Sequence, residues 1–448
     1  MPEERARVLA PAQRIRSFKE VVLGLKPRDA VENARIYLER ERALKGQPCP
    51  LGTDHLALVR AVARGTQASM VQALELLLKT NALPEVTGRL CGEVFEETLC
   101  QNRKGERVSL RAIERFLAEH YKVSDGPFHS QPSRPKVAVI GSGPAGLCAA
   151  WALMQSGYRV TVFDSASSIG GTLSYGQAEF QLPRQALDAI IRRFQSAGIE
   201  FVTDLLFGRA ATPEDLFEDG FGAVLIATGI GVAKMLEIPG ENAGGVMTAD
   251  DLLKAVNGRR EDPRLWLGPR VVIVGDTDPA FSCARIARRV GRDVTVVIRG
   301  PETHVKANPM FVRHGIEEGI KLKAFTNPVT VLTGSDGCVT GLGCRYLDYR
   351  MDTKGRMILV EDETAEFILE ADTLITAAGG GANTLFLRDI PGLEFNADGS
   401  LRTKPEFAEM CLRGVFAAGG VVEPEMSLTD AMLAGSRAAQ EIDKYLAA

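Results

Sequence analysis

The stretch VAVIGSGPAGLCAAWALMQSGYRVTVFD, residues 137–164, decides how the rest of the chain is read. A β-branched run (137–140) stops at a glycine, a helix-forming segment follows, and a second β-branched run (160–163) ends on Asp164. Between strand and helix lie Gly141, Ser142, Gly143, Pro144, Ala145 and Gly146. Each glycine meets a separate steric demand. Gly141 permits the tight turn out of the strand, Gly143 lets backbone approach a pyrophosphate, and Gly146 lets the helix pack closely on the sheet. The helix start then presents free N–H groups and the positive end of its dipole to an anion. Asp164, at the end of the second strand, is placed to accept hydrogen bonds from ribose hydroxyls. Strand, glycines, helix, strand and acid in this order predict a dinucleotide-binding βαβ unit.

A second stretch repeats the outline: VVIVGDTDPAFSCARIARRVGRDVTVVIRG, residues 271–300. Gly275 and Ala280 keep the first and last positions of a G-x-G-x-x-A turn, but Thr277 stands at the middle one. A side chain there crowds a pyrophosphate, and Asp276 and Asp278 add like charge. The same fold therefore has two readings here, a nicotinamide site or a scaffold without its ligand.

Further short runs at 223–227 and 374–378 alternate with helical segments, as parallel βαβ architecture requires. Upstream the texture differs. Segments such as 30–44, 66–80 and 108–121 carry apolar residues three and four apart, so the first 130 residues are predicted helical. The Pro- and Ser-rich stretch 124–136 is the expected linker. EDETAEFILEAD (361–372) is expected to be a solvated hairpin or edge segment, and Met351 and Met357 are expected to pack.

The net charge of −4 gives no basic footprint for nucleic acid. No apolar run approaches the roughly 18 residues of a membrane span. The eight cysteines form no CxxC pair, and the five histidines show no metal-binding spacing. A reducing cytoplasm is the expected compartment.

Family resemblance extends the reading. SIGGTLSYGQAEFQLPR (168–184) and IATG (226–229) resemble the flavin-side segments of the small subunit of bacterial glutamate synthase. GVFAAGGVVEPEMSLTDAMLAGSRAA (414–439) resembles the segment that closes over the flavin in that family. The resemblance implies FAD at the first turn, with Gly171, Thr172, Leu173, Thr228, Gly229, Gly419, Gly420 and Thr429 joining the site. Gly420 replaces the family's ribityl-binding Asp. At the second turn it implies NADPH or NADH, with Arg299 kept from an arginine pair and Gly300 in place of the other.

The N-terminal segments 18–62 and 76–100 resemble the iron–sulfur domain of the same family. Only Cys49, Cys91 and Cys100 match ligand positions, while Ile36, Glu39, about Leu44 and Thr87 stand where other cysteines would, and Phe95–Glu97 span one more. A [4Fe–4S] cluster normally takes four thiolates. The expectation is a cluster-free domain whose cysteines pack as small hydrophobes. Glu97 or Glu114 is the alternative fourth ligand.

Together these readings predict an α/β protein with two Rossmann-like dinucleotide-binding domains. A helical domain (1–130) precedes an FAD domain in two parts (131–238 and 379–448), with an NAD(P)-type domain (239–378) inserted. The resemblance implies an electron-transfer subunit working between NAD(P)H and other redox subunits of a hetero-oligomeric complex, with no catalytic acid or base. The alternative is a non-catalytic or nicotinamide-independent FAD subunit.

Overall fold

The computed structural model describes residues 7–39, 49–91, 109–123, 134–351, 356–404 and 408–448. Leu44, Phe95–Glu97 and Cys100 lie outside them, as does most of the expected linker. The N-terminal region is helical: α1 (Pro27–Leu38), α2 (His55–Arg64), α3 (Gln67–Leu78), α4 (Pro84–Leu90) and α5 (Leu110–His120). Local sequence fixes their ends. Asp54 and Thr66 cap α2 and α3 with side-chain acceptors, Gly65 closes α2 in a left-handed conformation, and Pro84 starts α4.

Two parallel sheets follow. The first contains β1 (Lys136–Ile140), β2 (Arg159–Phe163), β3 (Glu200–Val202) and β4 (Phe221–Ile226). The chain then passes through β5 (Ile230–Ala233) into a second sheet of β6 (Val246–Thr248), β7 (Arg270–Val274), β8 (Asp293–Val297) and β9 (Lys321–Lys323). An antiparallel meander comes next: β10 (Thr326–Thr333), β11 (Val339–Met351) and β12 (Met357–Glu370). Strand β13 (Thr373–Thr376) returns to the second sheet, β14 (Gly380–Ala382) pairs back on β5, and β15 (Val415–Ala417) rejoins the first. The strand orders are β15-β4-β1-β2-β3 and β6-β13-β7-β8-β9, with every neighbour parallel. The second sheet thus lies, in sequence, inside the first, and the β5–β14 ribbon is the double crossing between them.

Both central strands are buried along nearly their whole length, as parallel sheets covered on both faces require. The helix after β1, α6 (Pro144–Gln155), is buried from Ala145 to Leu153 almost without interruption, because it is covered by other elements on several sides. One of these is the C-terminal helix α10 (Leu428–Ala447). The N-terminal helices cover another side. Trp151 donates from Nε1 to the Leu78 carbonyl at 2.8 Å, and Arg193, on α7 (Arg184–Ser196), pairs with buried Glu85.

The edge strand β12 carries the expected charged segment. The methionine expectation needs correction. Met351 and Met357 are 69% and 58% exposed, because the ends of β11 and β12 run past β10 and pair only with each other.

Candidate functional site

At the end of β1 the chain turns on Gly141, whose φ is +108°. A Cβ there would sit 2.3 Å from the Ala227 carbonyl oxygen, so β1 and β4 approach too closely for any side chain. Five residues on, a Cβ at Gly146 would lie 1.9 Å from the Gly141 oxygen. The helix start is therefore pressed onto the turn. Gly143, the N-cap of α6, differs from both. A Cβ there meets nothing within 4 Å, and no side chain caps the first turn. Pro144 occupies the first helical position, where a missing N–H costs nothing. The result is a bare helix N-terminus facing open space, the geometry an anion needs.

Asp164 is fixed beside this turn. Its Oδ2 accepts from the Ser142 N–H at 2.8 Å and from the Ser142 hydroxyl, and its Oδ1 accepts from Ala166. The Ser142 hydroxyl in turn accepts from the Gly170 N–H at 2.9 Å. With three of its roughly four acceptor positions filled, the carboxylate keeps one, on Oδ1, for a hydroxyl ligand. This link seats the Gly170–Gly171 turn over the loop. Gly171 has φ +53°, and a Cβ on it would come 3.0 Å from the Gly143 Cα. Thr172 opens the short helix Thr172–Tyr175, and Leu173 turns into the core.

Other expected residues converge on the same place. Thr228 donates to the Asn383 carbonyl at 2.9 Å, and Gly229, at φ +70°, receives the Asn383 N–H. A Cβ at Gly419 would stand 2.7 Å from that of Ala145, and one at Gly420 would stand 3.0 Å from Ile230 Cγ2. An Asp at 420, which the resemblance leads one to expect, would need Ile230 to give by a few tenths of an ångström. Thr429 lies in the first turn of α10, its hydroxyl 3.4 Å from the Cys91 sulfur. Sequence reasoning missed Gly435, where a Cβ would be 2.0 Å from the Ala145 carbonyl oxygen. That contact brings α10 against α6 and holds Gly419 and Thr429 near the turn.

The second turn repeats the first in part. Gly275 has φ +148°, and a Cβ there would meet the Ala377 oxygen at 2.4 Å, as Gly141 meets Ala227. Helix α8 (Asp278–Arg289) follows, with Ala280 buried where Gly146 stands in the first turn. Thr277 is its N-cap, and Pro279 removes a donor from the turn where a pyrophosphate would lie. The Asp278 carboxylate accepts from the Asn308 N–H at 2.6 Å, and burial holds it above the ordinary carboxylate range. Arg299 is exposed just past β8.

Between the two nucleotide units lies a buried ionic knot. Glu318 follows α9 (Pro309–Glu317) and bonds both Arg285 and Arg289, all three side chains being at most 1% exposed. Both guanidinium groups lie over the ring of Phe180, from the segment after the first turn, at 4.7 and 3.7 Å. Ser282 donates to Gln181, and Arg289 also reaches the Ser17 carbonyl.

Comparison with known proteins agrees with this architecture. Residues 135–436 match the pyridine nucleotide-disulphide oxidoreductase family, and residues 14–125 match dihydropyrimidine dehydrogenase domain II, 4Fe-4S cluster. The chain is 30% identical to the glutamate synthase [NADPH] small chain of Halomonas elongata, over 97% of this chain and 94% of that one. It is also 30% identical to the NADP(+)-dependent formate dehydrogenase subunit beta of Moorella thermoacetica, over 89% of this chain, and spans 59% of that protein's length. The Mycobacterium tuberculosis FprA structure in complex with NADPH shares the fold, with a TM-score of 0.59 and 17% identity. It covers 70% of this chain and 85% of FprA.

The N-terminal match runs against the expectation of a cluster-free domain, so the residues themselves are the test. Residues 14–125 hold three cysteines, 49, 91 and 100, where four thiolates are normal. Glu114, the alternative ligand, is fully buried and bonded to His55, Arg111, Asn81 and Thr87. The ligand set does not fit a cluster. With two linked dinucleotide folds, the glycine geometry of the first turn and these matches, the chain belongs to the pyridine nucleotide-disulphide oxidoreductase family, in its glutamate synthase small-chain-like branch.

Proposed function

We propose that the chain binds FAD at the Gly141 turn and carries electrons between NAD(P)H and a partner redox protein. The observation that carries this reading is the Gly141–Gly146 loop, a sterically forced turn that leaves an uncapped helix N-terminus and open space at Gly143. In this reading the α6 N-terminus and Gly143 hold the pyrophosphate and Asp164 the ribose, with Ser142 fixing Asp164 in place. Gly171, Thr172, Leu173, Thr228, Gly229, Gly419, Gly420 and Thr429 form the remaining wall. FAD, when bound, accepts two electrons from a nicotinamide and gives them up to an acceptor. The protein's part is orientation and exclusion of competing reactions. The first turn of α10 supplies positive dipole for charge on a reduced flavin.

The domain division follows the same reading: FAD at 131–238 and 379–448, the nicotinamide at 239–378, and a docking region at 1–130. Two relatives carry the names small chain and subunit beta, which supports a place beside other redox subunits in a larger complex. Among the described residues no helix is long and apolar enough to cross a membrane.

Anaerobic titration with NADPH, then NADH, tests the function. Bleaching of the visible flavin band by either supports it, and a flavin that bleaches with dithionite but with neither nucleotide overturns the nicotinamide step. A nicotinamide-independent relay is the second reading, favoured by Thr277, Asp278 and Pro279 around the second helix start. If Thr277 only crowds the site, Thr277→Gly will tighten NADPH binding roughly tenfold, or about 1.4 kcal/mol. Titration calorimetry checks this.

A further inference from the structure

Residues 7–23 form a closed loop of the kind whose ends meet. Leu9 N–H donates to the Val21 carbonyl at 3.0 Å, and Leu23 N–H donates to the Arg7 carbonyl at 2.7 Å. The base of the loop is fastened to the N-terminal helices. Arg115, on α5, donates to the Val22 carbonyl at 2.9 Å, and Glu20 bonds Arg89 and Arg115 at 2.7 and 2.8 Å. The rest of the loop touches both nucleotide units. Towards the first, Val21 N–H donates to the Phe180 carbonyl at 3.1 Å, and the rings of Phe18 and Phe180 lie 6.2 Å apart. Towards the second, the Ser17 carbonyl accepts from Arg289 Nε at 3.1 Å, and buried Arg14 meets Glu317 at 2.6 Å.

The chain crosses between the two sheets on the β5–β14 ribbon, and two strands by themselves make a joint that can swivel. Other contacts hold the inserted unit at separate places. Asn308, at the start of α9, donates from Nδ2 to the Leu90 carbonyl at 3.1 Å, while Glu317, at its end, takes Arg14. Those two points stand roughly 12 Å apart by helical rise. Asn257, between β6 and β7, donates to the Tyr175 carbonyl of the flavin-side segment at 2.9 Å. Arg289 lies where three segments meet. It bonds Glu318 of its own unit, lies over the Phe180 ring and reaches the loop at Ser17. A body tied at one place can turn about it. One tied at several cannot turn without breaking all but one.

We propose that residues 14–21 are a strap that fixes the inserted unit against the flavin-side segment, with Arg289 as the positioning residue on which the strap bears. A nicotinamide carried by the inserted unit then meets the flavin side in one arrangement, without rotation of the unit about the ribbon. What the strap serves rests on the FAD and NAD(P)H reading, but its existence does not.

The test uses the full chain with Cys91→Ser and Cys100→Ser, spin-labelled on two exposed native cysteines, Cys338 in the inserted unit and Cys411 outside it. Pulsed dipolar spectroscopy then reads the distance between the units. One narrow population is expected, unchanged by NADPH and by dithionite. Two populations, or a shift beyond roughly 5 Å on either addition, overturn the strap, whether or not any variant folds. Arg14→Ala combined with Phe18→Ala is expected to widen the distribution at least roughly twofold. A folded double variant of unaltered width overturns the strap too. In the same variant, flavin reduction at saturating NADPH is expected to slow roughly tenfold, with the Kd for NADPH within about twofold of the original. An unchanged rate at saturation overturns the positioning role. The distances need no nucleotide, so they decide the strap even where neither NADPH nor NADH bleaches the flavin and the nicotinamide reading falls.

Discussion

Gly146→Ala will cost roughly 3 kcal/mol of stability and leave the chain without flavin, because the added methyl has no direction in which to yield. Its carbon would sit 1.9 Å from the Gly141 carbonyl oxygen, and both ends of that clash are backbone. Gly141 lies just as close to its neighbour strand, since a Cβ on it would stand 2.3 Å from the Ala227 carbonyl oxygen. Helix α6 would have to lift from the turn, dragging Ala145 away from Gly435 and Gly419. The comparison that gives this result meaning is Gly143→Ala. A methyl there enters open space, so folding should survive, but it fills the region a pyrophosphate would occupy. Expected for Gly143→Ala is near-native urea unfolding with FAD affinity at least roughly tenfold weaker. Expected for Gly146→Ala is loss of both. Urea unfolding together with flavin fluorescence on refolding in FAD separates the two cases.

Glu318→Ala is the second large effect, at about 3–5 kcal/mol. The carboxylate is fully buried and answers two buried guanidinium groups, so its removal leaves two uncompensated charges in a low-dielectric interior. His314 faces the same arginines, and burial together with Arg285 pushes its imidazole down to about 2; a neutral ring carries no negative charge to replace the carboxylate. The neighbouring Glu317, 40% exposed and paired with Arg14 at 2.6 Å, supplies the control. Glu317→Ala should cost no more than about 1 kcal/mol. Because Arg285 and Arg289 also hold Phe180, loss of Glu318 should loosen the link between the two nucleotide units. Denaturant unfolding of the two variants side by side checks the difference.

These expectations differ in how far the sequence alone announces them. The Gly141 turn is legible because its physics is local: strand, turn, helix start and acid lie within 28 residues of one another. The doubled pattern at Gly275 is legible for the same reason, as is the defect at Thr277. Gly435 is not, since nothing beside it in sequence requires a glycine. Its need arises from Ala145, brought close only when the last helix packs on α6. The ionic knot is equally silent. Arg285 and Arg289 read as the polar side of an amphipathic helix until Glu318 and Phe180 arrive from other segments. In the N-terminal region, the loss of cluster cysteines can be counted in the sequence. The partners of Glu114 cannot, because His55, Asn81 and Thr87 reach it only through helix packing. Met351 and Met357 stand exposed because apolar residues at strand ends pack only if a third strand runs that far.

Flavin content of the chain purified under native conditions, measured after acid release and identified chromatographically, bears most directly on the dinucleotide site at Gly141. One FAD per chain is the expected result. A chain that releases no flavin, and takes up none when incubated with excess FAD, contradicts the site as described.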